Sequence, residues 1–68
     1  MDYKELISPE HVEQLRDRFL KLSTDYSMSV VARAIGISRQ TLYRFLFGER
    51  VYGYTLRKIM RWCEKQEV

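Results

Sequence analysis

An all-α fold, a compact bundle of four to five short helices, is what this 68-residue chain predicts. Three observations lead there. Apolar residues recur at spacings of three and four in successive stretches, serines and glycines stand where such helices would start and stop, and the composition is that of a folded domain, 46% apolar and 31% charged. A single domain over residues 1–68 follows from the length, and a domain this small buries roughly 60% of the surface its unfolded chain exposes. The core is expected to be thin.

Residues 1–7, MDYKELI, carry no helical period and are expected to form an N-terminal arm or short turn. Helix 1 opens at Ser8, a side-chain cap, followed by Pro9 in the first helical position and Glu10 at the positive end of the dipole, with Ile7 able to staple onto Val12. Val12, Leu15, Phe19 and Leu22 make one apolar stripe, so this helix runs to about Leu22 or Ser23. Ser27 then caps a helix of two turns with Val31, Ala32 and Ile35 on one face and Gly36 as its stop. Ser38 caps a third helix that continues through Phe47 and ends at Gly48. After the irregular stretch ERVYGY, Thr55 is expected to cap a fourth helix in which Leu56, Ile59, Met60 and Cys63 repeat at helical spacing.

The second and third helices, over about residues 28–47, match a helix-turn-helix unit in more than outline. A steep crossing needs a small residue at the contact, here Ala32, a turn residue that tolerates a left-handed conformation, here Gly36, and an apolar plug, here Ile37. Val31, Ile35, Leu42 and Phe45 fill the wedge between the helices. On a helical wheel the third helix turns Leu42, Phe45 and Leu46 inward, and Gln40, Tyr43, Arg44 and Phe47 the opposite way, with Arg39 flanking them.

Charge is distributed unevenly. Residues 1–27 hold four Lys/Arg against six Asp/Glu, residues 28–61 hold seven against one, and the last seven residues hold one against two. The basic half therefore invites an anionic partner, and the excess of arginine over lysine, eight to four, suits bidentate recognition of phosphate or guanine. An α-helix fits the major groove of double-stranded DNA, where Arg bridges guanine O6 and N7 and Gln bridges adenine N6 and N7. Arg39, Gln40, Tyr43 and Arg44 are the expected base readers. Ser27, Ser29, Ser38, Thr41, Arg33 and Arg50 are the expected phosphate contacts.

The segment VVARAIGISRQTLYRFLFGER, followed by TLRKIMRWCE, resembles the lambda repressor and Cro-like helix-turn-helix family of phage and bacterial regulators over about residues 12–64. The resemblance implies a bundle of four or five helices whose third helix reads the major groove, as a homodimer on a palindromic operator. In that family the second helix commonly opens with a glutamine that grips a phosphate; this chain has Met28 there, leaving Ser27 or Ser29 for that contact. QTLYRFL is also similar to a motif of tetracycline-repressor-type proteins, but 68 residues leave no room for their ligand-binding domain, so no small-molecule effector is expected.

Tyr3, Phe47, Tyr52, Tyr54 and Trp62 exceed what a thin core needs, and Tyr52, Tyr54 and Trp62 are the expected dimer contacts. Other classes find no support. There is no convergent set of acid, base and nucleophile, so no enzyme and no catalytic residue is expected. The lone Cys63 and His11 make no metal set or disulfide, and no cofactor is expected. No apolar run reaches membrane-spanning length and no secretory leader is visible, so a cytoplasmic location is expected. The expected function is a sequence-specific DNA-binding transcriptional regulator, a repressor of autoregulatory kind. The alternatives are a protein-interaction module on the same scaffold, such as an antirepressor or an inhibitor of a host nucleic-acid complex, and an architectural factor that binds mainly phosphate.

Overall fold

A computed structural model describes residues 8–67. The expected arm over 1–7, the Ile7 staple and Tyr3 lie outside the described residues. Within them the chain is all-helical, with α1 at Pro9–Leu22, α2 at Met28–Ile35, α3 at Arg39–Leu46 and α4 at Gly53–Gln66. None of these helices is long and apolar enough to cross a membrane.

Three of the four helices begin at a serine whose side chain accepts from a backbone N–H three residues on. Ser8 Oγ takes the His11 amide at 3.3 Å, Ser27 Oγ the Val30 amide at 3.2 Å, and Ser38 Oγ the Thr41 amide at 3.1 Å. Each bond satisfies one of the amides that a helix start leaves without a partner. The ends are equally local. Gly36, at φ +92°, closes α2 in the left-handed region, where the Gly36 and Ile37 amides both donate to the Ala32 carbonyl at 2.9 and 3.0 Å. After α3, Gly48 at φ +81° turns the chain so that its own N–H donates to the Phe45 carbonyl at 3.2 Å and the Glu49 N–H to that of Arg44 at 2.9 Å. This paired closure ends regular helix at Leu46, one residue short of the Phe47 expected from the sequence.

α4 departs from expectation at its start. Its first residue is Gly53, preceded by Tyr52 in extended conformation with no side-chain cap. Thr55, the expected cap, is buried in the first turn instead, and its amide and that of Leu56 donate to the Tyr52 carbonyl at 3.0 and 3.1 Å. Packing of Thr55 and Leu56 against the core draws the helix back past the position that capping chemistry alone selects.

α1 packs on α4, and α2 packs on both α3 and α4. The core is built from Leu15, Phe19, Val31, Ala32, Leu42, Phe45, Leu56, Ile59, Trp62 and Cys63, with Val12, Leu22, Met28, Ile35, Ile37, Leu46, Val51 and Met60 closing it from the sides. Phe19 sits at the centre. Its ring meets Phe45 of α3 edge to face at 5.9 Å between centroids and Trp62 of α4 at 5.4 Å, so one aromatic of α1 holds the other two helices. This corrects one expectation: Trp62 is a buried core residue, with Tyr26 edge-on at 6.2 Å, and is removed from the exposed aromatics that could meet a partner. The Leu56, Ile59 and Cys63 stripe carries it inward.

A second tie reaches α3 from α1. The half-buried Arg16 donates through Nε to the Phe45 carbonyl at 2.8 Å, and its guanidinium carbon stands 5.5 Å from the Phe45 ring centroid. A cation at the C-terminal end of α3 also meets the negative end of that helix's dipole. At the far side of the bundle, Arg18 makes a two-pronged ion pair with Glu67 beyond α4.

Candidate functional site

α3 is eight residues long and held on three sides. Leu42 and Phe45 are fully buried, Arg16 grips its end, and Ser38 and Gly48 fix its two termini. Its other face is presented to solvent. Gln40, Tyr43, Arg44 and Phe47 are all exposed, the last three standing three, four and seven residues after Gln40, which makes them one stripe down the helix. The Tyr43 and Phe47 rings stack within it, 6.1 Å apart and 20° from parallel.

Four of the six expected phosphate contacts, Ser27, Ser29, Ser38 and Thr41, gather at the openings of α2 and α3. Arg39 Nη1 donates to Ser29 Oγ at 3.0 Å, a bond between the first residue of α3 and the second of α2. Arg39 therefore folds back toward α2 instead of standing with the outward stripe. Ser38 Oγ and Thr41 Oγ1 share a hydrogen bond of 2.8 Å, which uses one of their two hydroxyl protons and leaves the other to donate outward. Ser27 uses its oxygen as an acceptor in the cap, so its hydroxyl proton is likewise not taken by that bond. Arg33 is exposed in the last turn of α2, and Arg50 is exposed in the loop after α3.

Beyond Arg50 a second exposed aromatic pair stands at the start of α4, where Tyr52 precedes the helix and Tyr54 lies in its first turn. Tyr52 and Tyr54 stack at 5.4 Å and 10°, and Lys58 Nζ lies 5.9 Å from the Tyr54 ring centroid. These two of the three expected dimer contacts remain at the surface.

Electrostatically the two halves differ. Residues 28–61, which include α2, α3 and most of α4, carry seven cations and the single acid Glu49, whereas α1 shows exposed Glu10, Glu13 and Asp17. Away from the stripe, burial pushes the Cys63 thiol up, and the Arg18 guanidinium, hydrogen-bonded to Glu67, holds the Glu67 carboxyl below the usual carboxylate range. Among the described residues no group of three or more His, Cys, Asp or Glu side chains is placed to hold a metal ion.

The tie made by Arg16 gave no signal in the sequence, because its partner is 29 residues away. Phe47, expected on the outward face seven residues after Gln40, is exposed there. No protein-family model, curated protein or solved structure matches this chain.

Proposed function

We propose that this chain is a sequence-specific DNA-binding transcriptional regulator, a repressor that lays α3 in the major groove. One observation carries the reading: a helix fixed by its buried face and both ends exposes an unbroken stripe of Gln40, Tyr43, Arg44 and Phe47 within the basic half of the chain. Gln and Arg are the side chains whose paired donors and acceptors match adenine and guanine edges. Gln40 and Arg44 read bases, with Tyr43 beside them. Arg39, braced by Ser29, joins Ser27, Ser29, Ser38, Thr41, Arg33 and Arg50 in holding the phosphates on either side.

A rigid single helix reads a short half-site, so two copies on a palindromic operator are the working unit, with half-sites about 34–36 Å apart. Tyr52 and Tyr54 supply the aromatic surface for the second copy. The same exposed pair favours the alternative, a module that binds a protein partner.

The test is selection from a random duplex pool followed by fluorescence-anisotropy titration of the recovered duplex and a scrambled one at two salt concentrations. A specific regulator prefers the recovered duplex by about a thousandfold or more. Gln40→Ala or Arg44→Ala then costs roughly 1–3 kcal/mol at one base position, while Arg50→Ala weakens all DNA alike and lowers the salt dependence by about one phosphate contact. Equal, salt-sensitive binding of both duplexes points to an architectural factor. No binding of either points to a protein partner.

A further inference from the structure

We infer that the stacked Tyr43–Phe47 pair reads thymine 5-methyl groups, and that Phe47 sets specificity at the end of the half-site away from Gln40. The inference rests on the reading that α3 enters the major groove. Phe47 is 76% exposed and Tyr43 39%, a large apolar surface for a small domain to leave in water. It is not loose surface. The Phe47 amide donates to the Tyr43 carbonyl at 2.9 Å, the left-handed Gly48 follows at once, and the two rings stack, so the aromatic face is set before any partner arrives.

Position decides what that face meets. Phe47 lies on the stripe of Gln40 and Arg44, seven residues along from Gln40. At about 1.5 Å per residue this is ~10 Å of helix, or about three base-pair steps of ~3.4 Å. The polar end of the stripe suits purine edges. At the other end Phe47 has no donor or acceptor to offer, and the one apolar feature on a base edge in the major groove is the thymine methyl. Arg44, on the same turn as Tyr43, keeps the rings over the groove by its own contact with the DNA. A half-site read this way has purine contacts at one end and one or two thymines about three base pairs on.

The experiment uses the duplex recovered from the random pool, with uracil replacing thymine one position at a time, which removes the methyl and nothing else. For the wild-type chain, one or two positions per half-site should each lose about fourfold in affinity, the factor that burial of one methyl group represents. Phe47→Ala should bind the thymine duplex more weakly and lose the thymine-over-uracil preference at those positions, while Phe47→Leu keeps part of it. Both variants alter an exposed side chain, and their helical circular dichroism and melting should match wild type. A thymine preference that survives Phe47→Ala, or no thymine preference in wild type, overturns the inference. In that case an intact preference for guanine over 7-deazaguanine, abolished by Arg44→Ala, shows that major-groove reading itself still stands. Loss of both preferences overturns the groove reading as well.

Discussion

Replacing Arg16 by Met removes the side-chain hydrogen bond that joins α1 to the end of α3, while keeping most of the aliphatic packing. The wild-type guanidinium donates at 2.8 Å to the Phe45 carbonyl and lies over the Phe45 ring at 5.5 Å. A hydrogen bond from a charged donor contributes about 1.5–3 kcal/mol, and a cation over an aromatic face about 0.5–1 kcal/mol. Two features reduce the sum. Arg16 is only half-buried, and the Phe45 carbonyl keeps the Gly48 N–H at 3.2 Å, so no buried acceptor is orphaned. The expected loss is about 1.5 kcal/mol, which in a domain of this size lowers the melting temperature by roughly 6–12 °C. Arg16→Lys restores the charge at the helix end but not the Nε–H geometry, and should recover less than half of the loss. Urea titration followed by helical circular dichroism measures each variant. Arg16→Met within about 0.5 kcal/mol of wild type would show that Arg16 does not hold the end of α3, because that is the range of ordinary surface changes.

Three further predictions concern the frame. At Gly36, where an added Cβ meets nothing within 4 Å, the cost of Ala is backbone conformation alone: about 1–2 kcal/mol for the left-handed region, less about 0.4–1 kcal/mol from the stiffer unfolded chain. Urea melts should rank Gly, Asn, Ala and Val in falling order at this position, and an Ala variant more stable than wild type contradicts a left-handed turn. The fully buried Cys63 thiol, pushed up by that burial, should resist alkylation in the native protein and react once denaturant unfolds it; stoichiometric labelling under native conditions contradicts its place in the core. Because its hydrogen bond to Arg18 lowers the Glu67 carboxyl, the pair's contribution is present above the ordinary glutamate range and lost as pH falls through the depressed value. The small difference in melting temperature between wild type and Glu67→Gln at about pH 7 should narrow as pH falls below the ordinary glutamate range and close once it is below the depressed value, and an unchanged gap removes the pair from the stability of the fold.

What could be read from the sequence was local. Ser8, Ser27 and Ser38 cap because the bond each makes spans three residues, and Gly36 ends α2 because no other residue takes its conformation as readily. The apolar stripes of α1 to α4 follow from period alone, and the outward stripe of α3 is what remains when Leu42 and Phe45 are turned inward. Tertiary contacts were not legible. Thr55 has the chemistry of a cap and is spent on the core, so α4 begins three residues early. Trp62 reads as a surplus aromatic until Phe19, 43 positions earlier in the chain, closes over it. The bond of Arg39 to Ser29 on the neighbouring helix gave no signal in the sequence either.

We propose that α3 meets DNA through its exposed stripe, and an amide NMR titration of the isotope-labelled protein with the recovered duplex tests it. Ser38 to Phe47, together with Ser27 to Ser29, should shift strongly with that duplex and weakly with a scrambled one. Glu10, Glu13 and Asp17 on α1 should stay in place. Shifts centred on Tyr52 and Tyr54 with α3 unchanged, or the same shifts for both duplexes, would contradict it.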